Sequence, residues 1–338
     1  QMCIRDRGTI MQKQLWEDPK VIKINKEDGH VIAMPFDDVD SAISGEESKY
    51  KKSLNGDWKF YWQRGLENQP ENFESPDFND KEWGSITVPS VWQTEGYSVP
   101  YYYASTFPRA ISRSKHKIPS IDHKMQEIGF YRRTFTVDDS WKNREIFIHF
   151  GAAKAALEVF VNGTFVGYSQ GSMTPHEFDI SKYVKFGEEN IVCAKVYRYS
   201  DGTYLEDQDM WWLCGIYREV YLFAESPVCL RDFFFRTKLD NYYKDAEVDL
   251  DLYINNYAGL KGDVTAEAHL ISDTGREFPI AEETVALGIN KTTVSMKAEI
   301  KNPKKWSAEH PNLYTLVITV KHLSLIHISE PTRPISIS

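Results

Sequence analysis

LEVFVNGTFVGYS, residues Leu157 to Ser169, reads as two β-strands folded back on a single turn. Apolar and β-branched residues flank Asn162-Gly163, a dipeptide that accepts positive φ at both central positions of a type I′ turn, so the arms should pair antiparallel. Outward toward the N-terminus, Asp57–Trp62, Gly129–Val137 and Glu145–Phe150 are further short runs rich in rings and β-branched residues, and Asn55-Gly56 places a turn before the first. Toward the C-terminus come Pro175–Ile180, Asn190–Tyr197 and Ile216–Phe223. Helical periodicity is nearly absent, and turn residues recur at the intervals of a sandwich. Residues 53–226 are therefore expected to form a jelly-roll sandwich of about eight or more strands.

Pro227 marks a junction. Beyond it Cys229–Thr237, Ala246–Asn255, Asp263–Ser272, Thr292–Ile300 and Leu313–Val320 alternate more cleanly, with Val248, Leu250 and Leu252 on one face and Asp249, Asp251 and Tyr253 on the other. Asp273-Thr274-Gly275 supplies a turn, and Trp306 and Pro311 pin the crossing into the last strand. Such a set fits an immunoglobulin-like sandwich over residues 227–322, without the Cys…Trp…Cys spacing of antibody domains. The fold class is all-β. Residues 11–52 are polar with short apolar pieces such as Val31–Met34, which suits an extended arm laid over the first domain or over a partner subunit.

The chain has 338 residues, enough for two domains at roughly 150 residues each. A net charge of −9 argues against nucleic acid, whose binders carry basic faces, and against anionic membrane surfaces. No apolar run approaches the ~18 residues of a spanning helix. Cys3, Cys193, Cys214 and Cys229 lack CxxC spacing and form no disulfide framework; Cys193 lies in a strand-like run, as a buried reduced thiol would. With no apolar signal segment near the start, a cytoplasmic location is the simplest expectation.

Both ends differ from the rest. QMCIRDR, within residues 1–10, and LSLIHISEPTRPISIS, residues 323–338, resemble translated sequencing-adapter read-through and are expected to be non-native, with Met11 the native start. On that reading the gene continues past His322 and the second sandwich lacks its final strand. The open edge would make the isolated chain poorly soluble.

The chemistry concentrates between Arg198 and Arg218, RYSDGTYLEDQDMWWLCGIYR. Asp201, Glu206, Asp207 and Asp209 stand among Tyr199, Tyr204, Trp211 and Trp212, on a loop entered and left by strands. Loops on rigid scaffolds concentrate binding groups. Carboxylates accept from sugar hydroxyls or hold hard cations, and flat rings cover apolar sugar faces. The bland alternatives are a solvated acidic loop, a turn aspartate at Ser200-Asp201-Gly202, and rings that fill the core. Neighbouring acids on one loop rarely gain the separate environments that split the pKa values of a catalytic pair, so catalysis by the loop itself is not expected. His149 and His176 have no partner at metal spacing. Between Pro100 and Glu127 a long stretch with few strand signals carries a basic cluster, Arg109, Arg113, Lys115 and Lys117, read as a solvated face.

Ser200–Trp211, SDGTYLEDQDMW, resembles the same loop of the bacterial β-galactosidases of glycoside hydrolase family 2. SLNGDWKF (Ser53–Phe60), VPSVWQTEGY (Val88–Tyr97) and NPKKWSAEHPNLY (Asn302–Tyr314) follow the family in the same order, and LWEDPKVIKIN (Leu15–Asn25) matches its beginning. The resemblance implies the N-terminal part of a retaining exo-glycosidase acting on terminal β-D-galactose. It places the acid/base and nucleophile glutamates, and the magnesium ligands, on a (β/α)₈ barrel for which this chain has no pattern, so no catalytic residue is expected here and the chain alone should be inactive. Asp201 matches the family aspartate that binds a sodium ion and touches the galactosyl group. Partners implied are a galactoside substrate, the missing C-terminal barrel and, for the full-length enzyme, further copies of itself in a homo-oligomer. Ala104 stands where many members have a sugar-contacting asparagine, which puts the grip on galactose in question. A free-standing carbohydrate-binding or adhesion protein is the alternative; a β-glucuronidase or β-mannosidase fits the acidic-aromatic string less well.

Overall fold

A computed structural model describes residues 14–102, 118–323, 325–331 and 335–337. The described residues are 5% helix and 49% strand, in agreement with the all-β expectation. It divides into two compact units, one of Gln1–Glu27, Ser53–Val137 and Ile148–Tyr221, the other of Asp28–Lys52, Asp138–Phe147 and Leu222–Ser338.

The first unit is built on a seven-stranded sheet in the order Lys23–Ile24, Thr164–Gln170, Ala156–Val161, Glu189–Tyr197, Glu127–Thr136, Gly56–Arg64, Gly84–Val88. The hairpin forms as the dipeptide requires: Asn162 and Gly163 have φ of 51° and 82°, and Thr164 faces Val161 across the turn. Glu189–Tyr197 runs through the middle of the sheet, antiparallel to both neighbours. A four-stranded sheet has the order His176–Asp179, Glu145–Phe150, Val220–Glu225, Lys51–Ser53. The run read as Ile216–Phe223 is two elements, because Gly215–Ile216 pairs separately with Ala153–Lys154.

Rings dominate the core beneath the sheet. Trp16, Phe130, Tyr168, Tyr197, Tyr199, Tyr204 and Trp212 pack in one cluster. A Cβ at Gly129 would lie 2.5 Å from the Trp92 ring and 2.8 Å from that of Phe60, which explains a glycine in mid-strand.

The second unit has a three-stranded sheet, Val228–Leu239, Ala246–Asn256, Lys291–Ile300, and a five-stranded one, Glu277–Ala286, Asp263–Ser272, Tyr314–His322, Leu325–Pro331, Ala33–Phe36. Val248, Leu250 and Leu252 point into its core with Val264, Leu270, Met296 and Leu316, as their alternation dictates. The Asp273-Thr274-Gly275 turn closes with the Gly275 N–H donating to Ser272 at 2.9 Å, and Trp306 bridges to Pro311.

Three features differ from the sequence reading. Glu277–Ala286 is a strand that EFPIAEETVA conceals: Pro279 and the acids Glu282 and Glu283 are residues tolerated, and favoured, on an edge. Residues 11–52 are not one arm, since Lys23–Ile24 joins the first unit's sheet and Ala33–Phe36 the second's. Leu325–Pro331, placed outside the fold from its sequence, is a strand between Tyr314–His322 and Ala33–Phe36. Its apolar and β-branched content (Leu325, Ile326, Ile328) is what strand pairing needs, whatever its origin. Tyr314–His322 thus has a neighbour on each side and is not an open edge.

Candidate functional site

The central strand Glu189–Tyr197 delivers the chain into the acidic-aromatic loop, and the first loop residue is its anchor. Arg198 is 1% exposed. Its guanidinium donates to Glu127 Oε1 at 2.9 Å, to the carbonyls of Val99 at 2.9 Å and Trp212 at 3.1 Å, and to Ser98 Oγ. One side chain therefore joins the loop's entry to Trp212 near its exit and to the 98–99 backbone.

Asp201 follows, 9% exposed, its N–H donating to the Trp16 carbonyl at 2.8 Å. Its negative charge adds to burial in pushing the Tyr168 phenol up. After Gly202 the chain makes one helical turn, Thr203–Glu206, and the Thr203 hydroxyl accepts from the Ser200 N–H at 2.9 Å.

The other three acids turn to separate partners. Glu206 accepts from the Ser172 N–H at 3.1 Å and hydroxyl at 2.5 Å. Asp207 pairs with Lys154 in a buried site; burial pushes its carboxyl up, and the Lys154 ammonium opposes the shift. Asp209 accepts from the Tyr102 hydroxyl at 2.7 Å. These carboxylates hold the loop in shape. Sequence proximity does not gather them into one site.

The rings also divide. Tyr199, Tyr204 and Trp212 are core residues, and the Trp212 indole donates to the Asp207 carbonyl at 3.2 Å. Trp211 is 56% exposed, its ring 5.5 Å from that of Tyr102. The two stand at an open cavity of about 480 Å³ whose other walls include Val91, Met173, Met210 and Leu213, with Lys154 and Asp209 its charged groups. That volume lies in the range of small-molecule sites. Tyr102, Lys154 and Met173 escaped the sequence reading because they are distant in the chain, though a lone lysine in GAAKAAL was a visible signal. Ala104 and the basic cluster Arg109, Arg113, Lys115 and Lys117 lie outside the described residues, as does Cys3.

His149 and His176 are both buried, with Nδ1 of His149 3.1 Å from Glu177 and that of His176 2.6 Å from the Ser169 hydroxyl. Burial pushes the Cys193 and Cys214 thiols up to about 12, so neither is a thiolate near neutrality. Among the described residues no group of three or more His, Cys, Asp or Glu gathers as a metal site. For a hard monovalent cation the loop offers the buried carboxylate of Asp201, that of Asp207 being taken by Lys154; the residues present fit a share of a coordination shell, which further oxygens must complete. No helix among the described residues is long and apolar enough to cross a membrane.

Residues 51–226 match the family described as "Glycosyl hydrolases family 2, sugar binding domain", and residues 228–329 match "Glycosyl hydrolases family 2". The chain belongs to glycosyl hydrolase family 2. It is 39% identical over 309 residues to a β-galactosidase of Priestia megaterium, covering 90% of this chain and 30% of the relative. It is 33% identical over 320 residues to a β-galactosidase of Photobacterium profundum, covering 92% and 30%. The chain thus spans about 30% of the length of these relatives. Among solved structures, a Bacteroides uniformis β-glucuronidase superposes with a TM-score of 0.67 at 20% identity, covering 85% of this chain and 32% of the other. A putative β-galactosidase of Bacteroides fragilis gives 0.63 at 18%, covering 85% and 41%. At those identities the likeness shows the fold alone.

Proposed function

We propose that this chain is the N-terminal portion of a β-galactosidase, a retaining glycosidase that releases terminal non-reducing β-D-galactose, and that it supplies one wall of the sugar pocket. The observation carrying this reading is 39% identity to a β-galactosidase across 90% of the chain, set beside a loop held by buried ion pairs with Asp201 at its start. The neighbouring β-glucuronidase structures bear on fold only, so they do not compete for substrate.

In this reading Asp201 accepts a hydrogen bond from a galactosyl hydroxyl and donates one oxygen to a sodium ion. When bound, that ion would orient the hydroxyl. The chain's own residues do the rest: Trp16 fixes the Asp201 backbone, and the Arg198 and Lys154 pairs keep the loop from rearranging. The reactive carboxylates and the magnesium ligands belong to the barrel of the full-length enzyme, which we propose to be a cytoplasmic homo-oligomer. Buried thiols at Cys193 and Cys214 suit a reducing compartment.

Asp201→Asn tests the reading in the full-length enzyme. Loss of a charge-assisted contact should lower kcat/KM by about 10²-fold and abolish the dependence of rate on sodium. Unchanged rate and unchanged sodium dependence would overturn the role of Asp201. Galactose release from a chromogenic substrate by the 338-residue chain alone, free of host enzyme, would overturn the assignment of chemistry to the missing barrel.

A further inference from the structure

Lys154 and the residue after it meet the acidic-aromatic loop at three points. The Lys154 backbone pairs with Gly215, where the loop ends. The next residue, Ala155, donates its N–H to the carbonyl of Tyr197 at 2.8 Å, where the loop begins. The Lys154 side chain crosses to the middle and pairs with Asp207, with 4% and 1% of the two side chains exposed. From Asp207 the connection runs back toward Asp201 in two steps: the Asp207 N–H donates to the Thr203 carbonyl at 3.1 Å, and Thr203 is bonded through its hydroxyl and its N–H to Ser200. The Asp207 carbonyl also receives the Trp212 indole N–H.

We propose that Lys154 is a positioning residue for Asp201, its ion pair with Asp207 setting the register of the helical turn against the strand that holds both ends of the loop. This rests on the reading of Asp201 as a sugar and sodium contact. A buried ion pair gives little net stability over well-packed apolar residues of the same volume, because two charges must be desolvated; what it supplies is a unique geometry. The pair acts on the shape of the loop rather than on the fold of the unit. Lys154 does not touch substrate in this account and is not a catalytic residue.

Two measurements test it. In the 338-residue chain, amide hydrogen exchange is followed for residues 201–212 and for Glu189–Tyr197 in Lys154→Met, in Lys154→Arg and in the double variant Lys154→Met/Asp207→Leu. Lys154→Met should speed exchange in the loop about 100-fold and in the strand by a much smaller factor, set by the charge orphaned on Asp207, and Lys154→Arg should recover most of the protection. Where Lys154→Met does not fold, the double variant takes its place, since an apolar pair should keep the thermal midpoint while the loop still exchanges faster. Unchanged loop exchange in a folded variant, or loop and strand accelerating by the same factor, would overturn the proposal. In the full-length enzyme, Lys154→Met should raise the sodium concentration for half-maximal activity at least about 10-fold, with Lys154→Arg close to wild type. A fall in rate with that sodium concentration unmoved would also overturn it. Asp201→Asn, run alongside, separates the two readings: if it is silent while the loop still loosens in Lys154→Met, the role of Asp201 fails and the mechanical role of Lys154 stands.

Discussion

Arg198→Met should destabilise the first unit by about 3–5 kcal/mol, the usual cost of removing one partner from a buried, hydrogen-bonded ion pair. Arg198 and Glu127 are 1% and 5% exposed, and the guanidinium is in contact at 2.9 Å with the carboxylate. Methionine fills much of the volume but takes the cation from Glu127, which among the described residues keeps the Ser98 hydroxyl as its side-chain donor. It also leaves the carbonyls of Val99 and Trp212 without the hydrogen bonds they now receive. Arg198→Lys keeps the charge and loses the planar fork, so it should recover only part of the loss. Arg198→Met/Glu127→Gln should recover more, because the orphaned charge is gone. Urea midpoints of the four proteins check this. A single variant within about 1 kcal/mol of wild type would show that Glu127 finds another partner or takes up a proton at small cost.

That arginine shows where sequence reasoning stops. Its place at the head of the loop was visible, yet nothing in RYSDGTY says that the side chain turns inward to bind residues about a hundred positions earlier. Local signals carried most of the fold: Asn162-Gly163 and Asp273-Thr274-Gly275 fixed their hairpins, and the period-two pattern of Val248–Leu252 fixed a core face. The elements that escaped are those whose stability is borrowed from a neighbour. Glu277–Ala286 hides behind a proline and exposed acids, and Ala33–Phe36 and Leu325–Pro331 have too little pattern of their own to announce a partner so distant in the chain. At the site, the residue types were legible and their assignments were not. Four acids in sequence suggested a shared role, while Glu206, Asp207 and Asp209 went to Ser172, Lys154 and Tyr102. Three of four rings went to the core and Trp211 to the surface, a division that alternation in a loop cannot foretell.

Acidification should unfold the first unit through His176. The ring is fully buried beside the Ser169 hydroxyl, and burial, helped by the positive charge of Lys26, pushes its pKa down to about 3 from an ordinary value of 6.5. The folded chain thus keeps His176 neutral where the unfolded chain protonates it. Between pH 6.5 and about 3 the unfolded state binds the extra proton, so stability is complete above 6.5 and declines as pH falls through that window. The slope for one group is about 1.4 kcal/mol per pH unit, which amounts to about 2 kcal/mol by pH 5. His176→Gln removes the titration while leaving a polar group near Ser169. It should lower stability at pH 7 through imperfect packing, yet flatten the decline between pH 6.5 and 5 by close to one proton. Thermal midpoints of the two proteins across that range decide the matter. Parallel curves would mean that the ring is not held neutral in the folded chain and would overturn this account of the acid sensitivity.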